Sequence, residues 1–388
     1  MLEKDPFSLY IHIPYCVSKC PYCDFNVHVV YRIPEGEYSE TLLRELDFYA
    51  ESENWKGRNL KSIYFGGGTP STFSPLRIGR ILKKIESLFS FEKEIEITLE
   101  ANPGKDDSKN FSGYRTCGIN RISIGVQSFQ LHLLNFLGRL HSADETREAL
   151  RTVQKAGFGN FNLDLIYANP GQSLSDLKAD LEEALSYHPP HLSAYNLTIE
   201  EGTPFHRDFQ SGKIRPLPEE EEISMAELID ESLSRAGLER YEISNYAKPG
   251  YHSRHNVNYW QGGDYLGIGA GAHSYKQSQS NGSFGYRWHN EKNPVRYMEK
   301  IRQEAKAVVE MEQSNLTKAA AEFMFLGLRM VQGIAVDEFS SRFGKKPDEF
   351  YPRISDWLEE GLMAEKDNRI HLTRRGLLVA NAIFVNFV

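Results

Sequence analysis

Ser8-Leu9-Tyr10-Ile11-His12-Ile13-Pro14-Tyr15-Cys16-Val17-Ser18-Lys19-Cys20-Pro21-Tyr22-Cys23 decides how the rest of the chain is read. Phe7–Ile13 is apolar and alternating, as a strand would be, and three of the four cysteines follow it with C-x3-C-x2-C spacing. A disulfide framework calls for an even, dispersed set of cysteines in a small secreted chain. Structural zinc wants a fourth ligand and usually repeats a C-x2-C pair, which is missing here. Thiolates on a short loop suit iron, and a [4Fe–4S] cluster normally takes four of them. Cys16, Cys20 and Cys23 would leave one iron open to a ligand other than cysteine.

Outward from this loop, strand and helix alternate to about residue 200. Further strands are expected at Ser62–Phe65, Glu94–Leu99, Arg121–Val126, Phe161–Tyr167 and His191–Ile199. Helices are expected between them at Glu37–Glu53, Pro75–Phe89, after Pro103, after the capping box Ser142-Ala143-Asp144-Glu145, and at Ser173–Tyr187. Six β-α steps imply a parallel sheet with right-handed crossovers, open or curled into a barrel. Polar and glycine-rich stretches cluster where strands end, as on the C-terminal rim of a (β/α) barrel. That favours a partial six-stranded parallel barrel with Cys16–Cys23, the triple glycine, Glu100, Gln127, Asp164 and Thr198 at one mouth. The expected domains are a barrel core (1–205), an extension (206–310) and a smaller C-terminal α+β domain (311–388). In the extension, Gln277–Gly285 reads as an exposed loop. The C-terminal domain reads as helices to about Val331, at Val336–Phe343 and at Asp348–Glu360, then a hairpin over Leu362–Leu372 and a last helix. That order resembles a winged helix.

The chain has 388 residues, 40% hydrophobic and 25% charged, ordinary for a globular protein. A net charge of -8 argues against general nucleic-acid binding. Residues 318–388 carry ten basic and ten acidic residues, so the winged-helix order brings no DNA-reading charge. Met1-Leu2-Glu3-Lys4-Asp5-Pro6 has no signal-peptide core, and no apolar run reaches a membrane span. A cytoplasmic location is expected, where thiols stay reduced. Cys117 is expected to be a buried structural thiol.

Gly66-Gly67-Gly68-Thr69-Pro70 follows a strand, and its backbone N–H and C=O groups are expected to be free for a polar ligand; a tight turn explains the run about as well. Glu100 ends a strand, as a solvated carboxylate or a ligand-binding one. Gln127, Arg139 and Asp164 read equally as a polar rim residue, a surface arginine and a strand residue satisfied by neighbours.

The cysteine loop, with an aromatic residue before Cys23, resembles the radical S-adenosylmethionine (SAM) family. In that family the methionine part of SAM chelates the open iron, and electron transfer yields a 5′-deoxyadenosyl radical. The glycine run looks like that family's SAM-binding segment. Tyr10 to Cys23, Phe65 to Ser71, Glu100 to Pro103, Ile119 to Phe129, Gly138 to His141, Asn162 to Gln172 and Tyr241 to Ser274 together resemble the oxygen-independent coproporphyrinogen III oxidase-like subfamily, and within it the heme-chaperone branch. The resemblance implies a radical SAM barrel with the cluster on Cys16, Cys20 and Cys23. It implies that Tyr10, Gly67 and Glu100 surround the cluster-bound SAM. Tyr22, Gly68, Thr69, Gln127, Arg139 and Asp164 sit where the decarboxylases hold a second SAM. Two departures disfavour the decarboxylase: Phe25 stands where it has a further cysteine, and an N-terminal extension is not seen. His255-Asn256-Val257-Asn258-Tyr259 matches the chaperones' H-N-x-x-Y motif and implies that His255 binds heme, although a lone histidine reads as well as a structural hydrogen bonder. His252 and His273 are weaker candidates. The implied function is a [4Fe–4S]- and SAM-binding chaperone that delivers heme to hemoproteins, with respiratory enzymes as the implied acceptors. The alternatives are the decarboxylase of porphyrin biosynthesis and a heme-opening methyltransferase. Peripheral membrane association and a homodimer stay open.

Overall fold

In a computed structural model, residues 5–278 and 284–387 are described; residues 1–4 and the centre of the expected Gln277–Gly285 loop lie outside them. Six strands form the heart of the fold: β1 (Phe7–Ile13), β2 (Asn59–Gly67), β3 (Ser90–Ala101), β4 (Arg121–Gln127), β5 (Asn160–Tyr167) and β6 (His191–Asn196). They pair in parallel in that order. Between them run α1 (Glu35–Ala50), α2 (Pro75–Leu88), α3 (Phe111–Cys117), α4 (Ala143–Lys155) and α5 (Leu174–Ser186). Capping boxes open α4 (Ser142 with Glu145) and α5 (Ser173 with Asp176).

Alternation along each strand separates two faces. Leu9, Ile11, Ile63, Phe65, Leu99, Ile122, Ile124 and Leu163 are buried in the core with the helices. The opposite face is polar: Tyr10 lies beside Tyr64, Tyr64 beside Thr98 and Thr98 beside Arg121, while Glu100, Ser123, Asn162 and His191 form the next row. Barrels of this kind usually fill their interior with branched apolar side chains. Here the lumen is hydrogen-bonded: Asn162 donates to Ser123 (2.8 Å) and Ser193 (2.9 Å), and Ser193 donates to Asn245 (2.7 Å).

β1 and β6 do not pair with each other, so the barrel has an open seam. The sheet continues past both of its sides. After α6 (Glu219–Arg235), β7 (Glu239–Arg240) and β8 (Asn245–Ala247) extend it antiparallel beyond β6. β9 (Tyr265–Ile268) pairs in parallel with the other face of the seam, β1. β10 (His273–Lys276), β11 (Tyr286–Asn290) and β12 (Val308–Gln313) follow antiparallel and complete twelve strands. The connection from β8 to β9 therefore has to cross the seam, and it carries α7 (Arg254–Trp260). The sequence reading left residues 206–310 without this pairing, because strands of two to six residues give little periodic signal.

The C-terminal part has its own apolar core around Phe339, Ile354, Trp357 and Ile370. α8 (Leu316–Gly327), β13 (Ile334–Ala335), α9 (Val336–Phe343), α10 (Arg353–Glu359), β14 (Met363–Lys366) and β15 (Arg369–Leu372) follow winged-helix order. The single helix expected over Asp348–Glu360 is broken at Tyr351-Pro352, and the last helix is two short ones. No helix among the described residues is long and apolar enough to cross a membrane.

Candidate functional site

A cavity of about 440 Å³ opens at the strand ends, lined by Cys16, Cys20, Tyr22, Cys23, Gly67, Gly68, Thr69, Glu100, Gln127, Arg139, Asp164 and Thr198. The three cysteines are free thiols. No three His, Cys, Asp or Glu side chains among the described residues converge as a single-ion site would need. A cluster sets a weaker demand, since its thiolates bind different irons and need only face one volume. The donor set fits that demand. The hydroxyl of Thr69 lies 3.3 Å from the Cys16 sulfur, and the Arg139 guanidinium donates to the Cys20 sulfur at 3.4 Å. Burial pushes the Cys16 and Cys23 thiols up in pKa.

The glycine run is held tightly against the cysteine loop. A Cβ on Gly67, whose φ is +116°, would lie 2.5 Å from the His12 ring, and one on Gly68 would lie 2.7 Å from the Tyr15 carbonyl. The expectation of free N–H groups is corrected. Gly67 N–H donates to Glu100 (3.2 Å), Gly68 N–H to Ile13 (2.8 Å) and Thr69 N–H to Tyr15 (2.9 Å). The run thus fixes the loop and the carboxylate.

Glu100 also accepts from the Tyr64 hydroxyl at 2.8 Å. Burial raises its pKa to about 7, opposed by the Tyr64 and Gly67 hydrogen bonds and reinforced by Asp164. Such a raised carboxyl stabilises the ligand-free fold fully below its unfolded value and loses that contribution as pH rises through about 7. A cationic ligand at this carboxyl would reverse the preference, because an ammonium pairs only with its ionised form. SAM affinity in reconstituted protein is therefore expected to rise as pH crosses about 7, and Glu100→Gln to flatten that rise, measured by calorimetry across pH.

Arg139, read equally as a surface arginine, is half-buried at the cavity wall and donates to the Gly125 carbonyl (3.2 Å) and to Asn102. Gln127 lies past a register shift at the end of β4 in left-handed backbone (φ +66°), a strained conformation for glutamine that aims it at the cavity. Asp164 accepts from Ser123 (3.1 Å) and Asn162 (2.8 Å), and burial raises its pKa. Tyr22 packs 6.2 Å from Phe205. Tyr10 lines a second, larger cavity that shares Phe25, Gly67 and Glu100 with the first.

His255 lines neither cavity. It is 1% exposed on α7, inside the seam, stacked 4.9 Å from Tyr64. Nδ1 is 2.9 Å from the Ser62 hydroxyl and Nε2 is 2.8 Å from the Tyr259 hydroxyl. Burial lowers its pKa to about 3, with Arg121 the next cause. Its neighbour Asn256 does reach the cysteine cavity.

Sequence reasoning missed Arg121, which lines the same cavity at 2% exposure, its Nε without a hydrogen-bond partner among the described residues. Its register beside Thr98, on the polar side of the Arg121-Ser123-Gly125 alternation, was the available signal. A buried cation with an unmet donor costs stability until a ligand meets it. Arg121 also favours the ionised forms of Glu100 and Asp164, so Arg121→Met is expected to move the pH at which SAM affinity rises upward, read by the same calorimetry.

A polar lumen, a three-thiol loop at the strand ends and a glycine run bracing it define the class, and comparison agrees. The family profile for the radical SAM superfamily matches residues 10–184, and that for the HemN C-terminal domain matches 315–379. The chain belongs to the heme chaperone HemW family of radical SAM proteins. It is 38% identical over its full length to heme chaperone HemW of Haemophilus influenzae (99% of the relative covered) and of Escherichia coli K12 (100% covered). The Bacillus subtilis HemW is 32% identical, with 98% of this chain and 99% of the relative aligned. The solved structure of coproporphyrinogen III oxidase (HemN) from Escherichia coli shares the fold with a TM-score of 0.81, at 21% identity over 98% of this chain and 90% of that one.

Proposed function

We propose that this protein is a heme chaperone whose barrel mouth holds a [4Fe–4S] cluster on Cys16, Cys20 and Cys23, with SAM beside it. The observation that carries the reading is the joining of three free thiols, the half-buried Glu100 carboxyl and the buried Arg121 guanidinium on one cavity, in a chain akin to heme chaperones over its full length. When bound, the cluster and SAM supply one-electron reduction of a sulfonium. Glu100, fixed by Tyr64 and Gly67, takes the ammonium of SAM, and Gly67 and Tyr10 shape the wall next to it. Arg139 neutralises the sulfur side of the loop through Cys20, while Tyr22, Gly68, Thr69, Gln127 and Asp164 form the remaining walls, where a second SAM would lie.

Heme uptake and delivery to hemoproteins, respiratory enzymes among them, follow from the same reading. Anaerobically reconstituted protein titrated with hemin should give a saturable Soret band and pass heme to an apo-hemoprotein. No saturable binding would overturn the reading. The coproporphyrinogen III decarboxylase is the other reading, favoured by the shared fold and disfavoured by Phe25. Protoporphyrinogen formed with SAM and a reductant would establish it.

A further inference from the structure

The larger cavity, about 900 Å³, lies between the seam side of the barrel and the C-terminal helices, at the upper end of the range for small-molecule sites. One group of walls is apolar and aromatic: Phe25, Trp260, Tyr265, Phe323, Leu326 and Met330. Phe25 is 63% exposed, and it also faces the cysteine cavity. Arg287, Lys292, Arg342 and Arg369 bring four cations to the lining, against the carboxylates of Glu100, Glu322 and Glu338. Arg287 is held by Glu322 at 2.9 Å, and Glu100 is held by Tyr64 and Gly67. Lys292, Arg342 and Arg369 then remain against Glu338 alone. A broad apolar slot with surplus positive charge suits a flat, apolar dicarboxylate.

The imidazoles divide sharply. His255 and His12 have both ring nitrogens engaged, His12 with Tyr10 (3.0 Å) and the Asn26 carbonyl (3.0 Å). His273, at the start of β10, lines the large cavity, and its ring contact is the tilted ring of His289 at 5.0 Å. Neither of its nitrogens has a hydrogen-bond partner among the described residues. Burial, then His289, lowers its pKa, which leaves the ring neutral and its lone pair available.

Resting on the heme-chaperone reading, we propose that heme binds in this cavity with His273 as an axial ligand and its propionates on Lys292, Arg342 and Arg369. His255 closes the barrel seam beside it. Phe25 then separates the porphyrin from the cluster, at the position where the decarboxylases carry a cysteine.

The test is a hemin titration of the cluster-loaded full chain, comparing wild type, His273→Ala, His255→Gln and Lys292→Gln/Arg342→Gln. His273→Ala should lose the imidazole-ligated spectrum and bind hemin about tenfold or more weakly, whereas His255→Gln should keep the wild-type Soret position. The double variant should bind hemin about tenfold more weakly yet bind heme dimethyl ester as wild type does. His273 is on the surface of its strand, so its variant is expected to fold, and circular dichroism checks this. A His273→Ala spectrum identical to wild type, or spectral loss in His255→Gln alone, overturns the site while leaving heme binding intact. Absence of hemin binding by wild type overturns the chaperone reading itself.

Discussion

Replacing Cys16, Cys20 and Cys23 together by serine is expected to abolish the broad iron–sulfur absorbance of anaerobically reconstituted protein and its bound iron and sulfide. A serine oxygen is a harder, more basic donor than thiolate, and soft iron centres are held poorly by it. Each of the three sulfurs faces the same cavity, so no neighbouring cysteine can replace a lost one: Cys117 instead lies on α3 with its thiol on the Tyr114 carbonyl at 3.3 Å. Cys117→Ser is the control and should keep full cluster content. The fold should survive the triple change, because the loop is fixed by backbone bonds from Gly68 and Thr69 rather than by the sulfurs. Full cluster absorbance in the triple variant would remove the basis of the whole assignment.

His255→Ala is expected to destabilise the protein by about 3 kcal/mol, the sum of a buried cavity and two lost hydrogen bonds, Ser62 keeping its bond to Ser8 (2.7 Å). The ring is packed on Tyr64 and is the shared partner of Ser62 on β2 and Tyr259 on α7, so it ties the seam-crossing helix to the strand behind it. Two further bonds tie the helix to the next strand, since the N–H groups of Arg254 (3.0 Å) and His255 (3.1 Å) both donate to Glu96 on β3. His255→Gln, with a donor and an acceptor, should recover part of the loss. Equilibrium denaturation measures both. A stability unchanged by alanine would refute the closing role and return His255 to the list of heme ligands.

The barrel strands were legible because each carries a short apolar or alternating run that ends in polar or glycine-rich residues. Phe7–Ile13 has the bounds expected, and the others differ at their ends by a few residues. The cavity was legible as far as residues at strand ends could be put at one mouth, which Cys16, Glu100, Gln127, Asp164 and Thr198 share. What could not be read depends on pairing across long separations. That β9 lies beside β1, and β8 beside β6, puts α7 across the seam, and no local pattern near His255 carries this. A motif histidine in a polar segment looks the same from sequence whether its nitrogens are free or, as here, already taken. The reach of the C-terminal helices over Trp260 and Tyr265 is equally remote in sequence.

Closing the cylinder with a seven-residue helix instead of a ladder has a mechanical consequence. Two strands zipped together must break a row of amide bonds to part, whereas α7 leaves its slot by giving up one imidazole, one carboxylate, the Arg254 bond to the Glu94 carbonyl and a few ring contacts. Its two tethers, after Ala247 and before Tyr265, are anchored on opposite lips of the gap. The girth of this cylinder is therefore set by a latch on a hinged strap, and widening it leaves all six parallel staves intact.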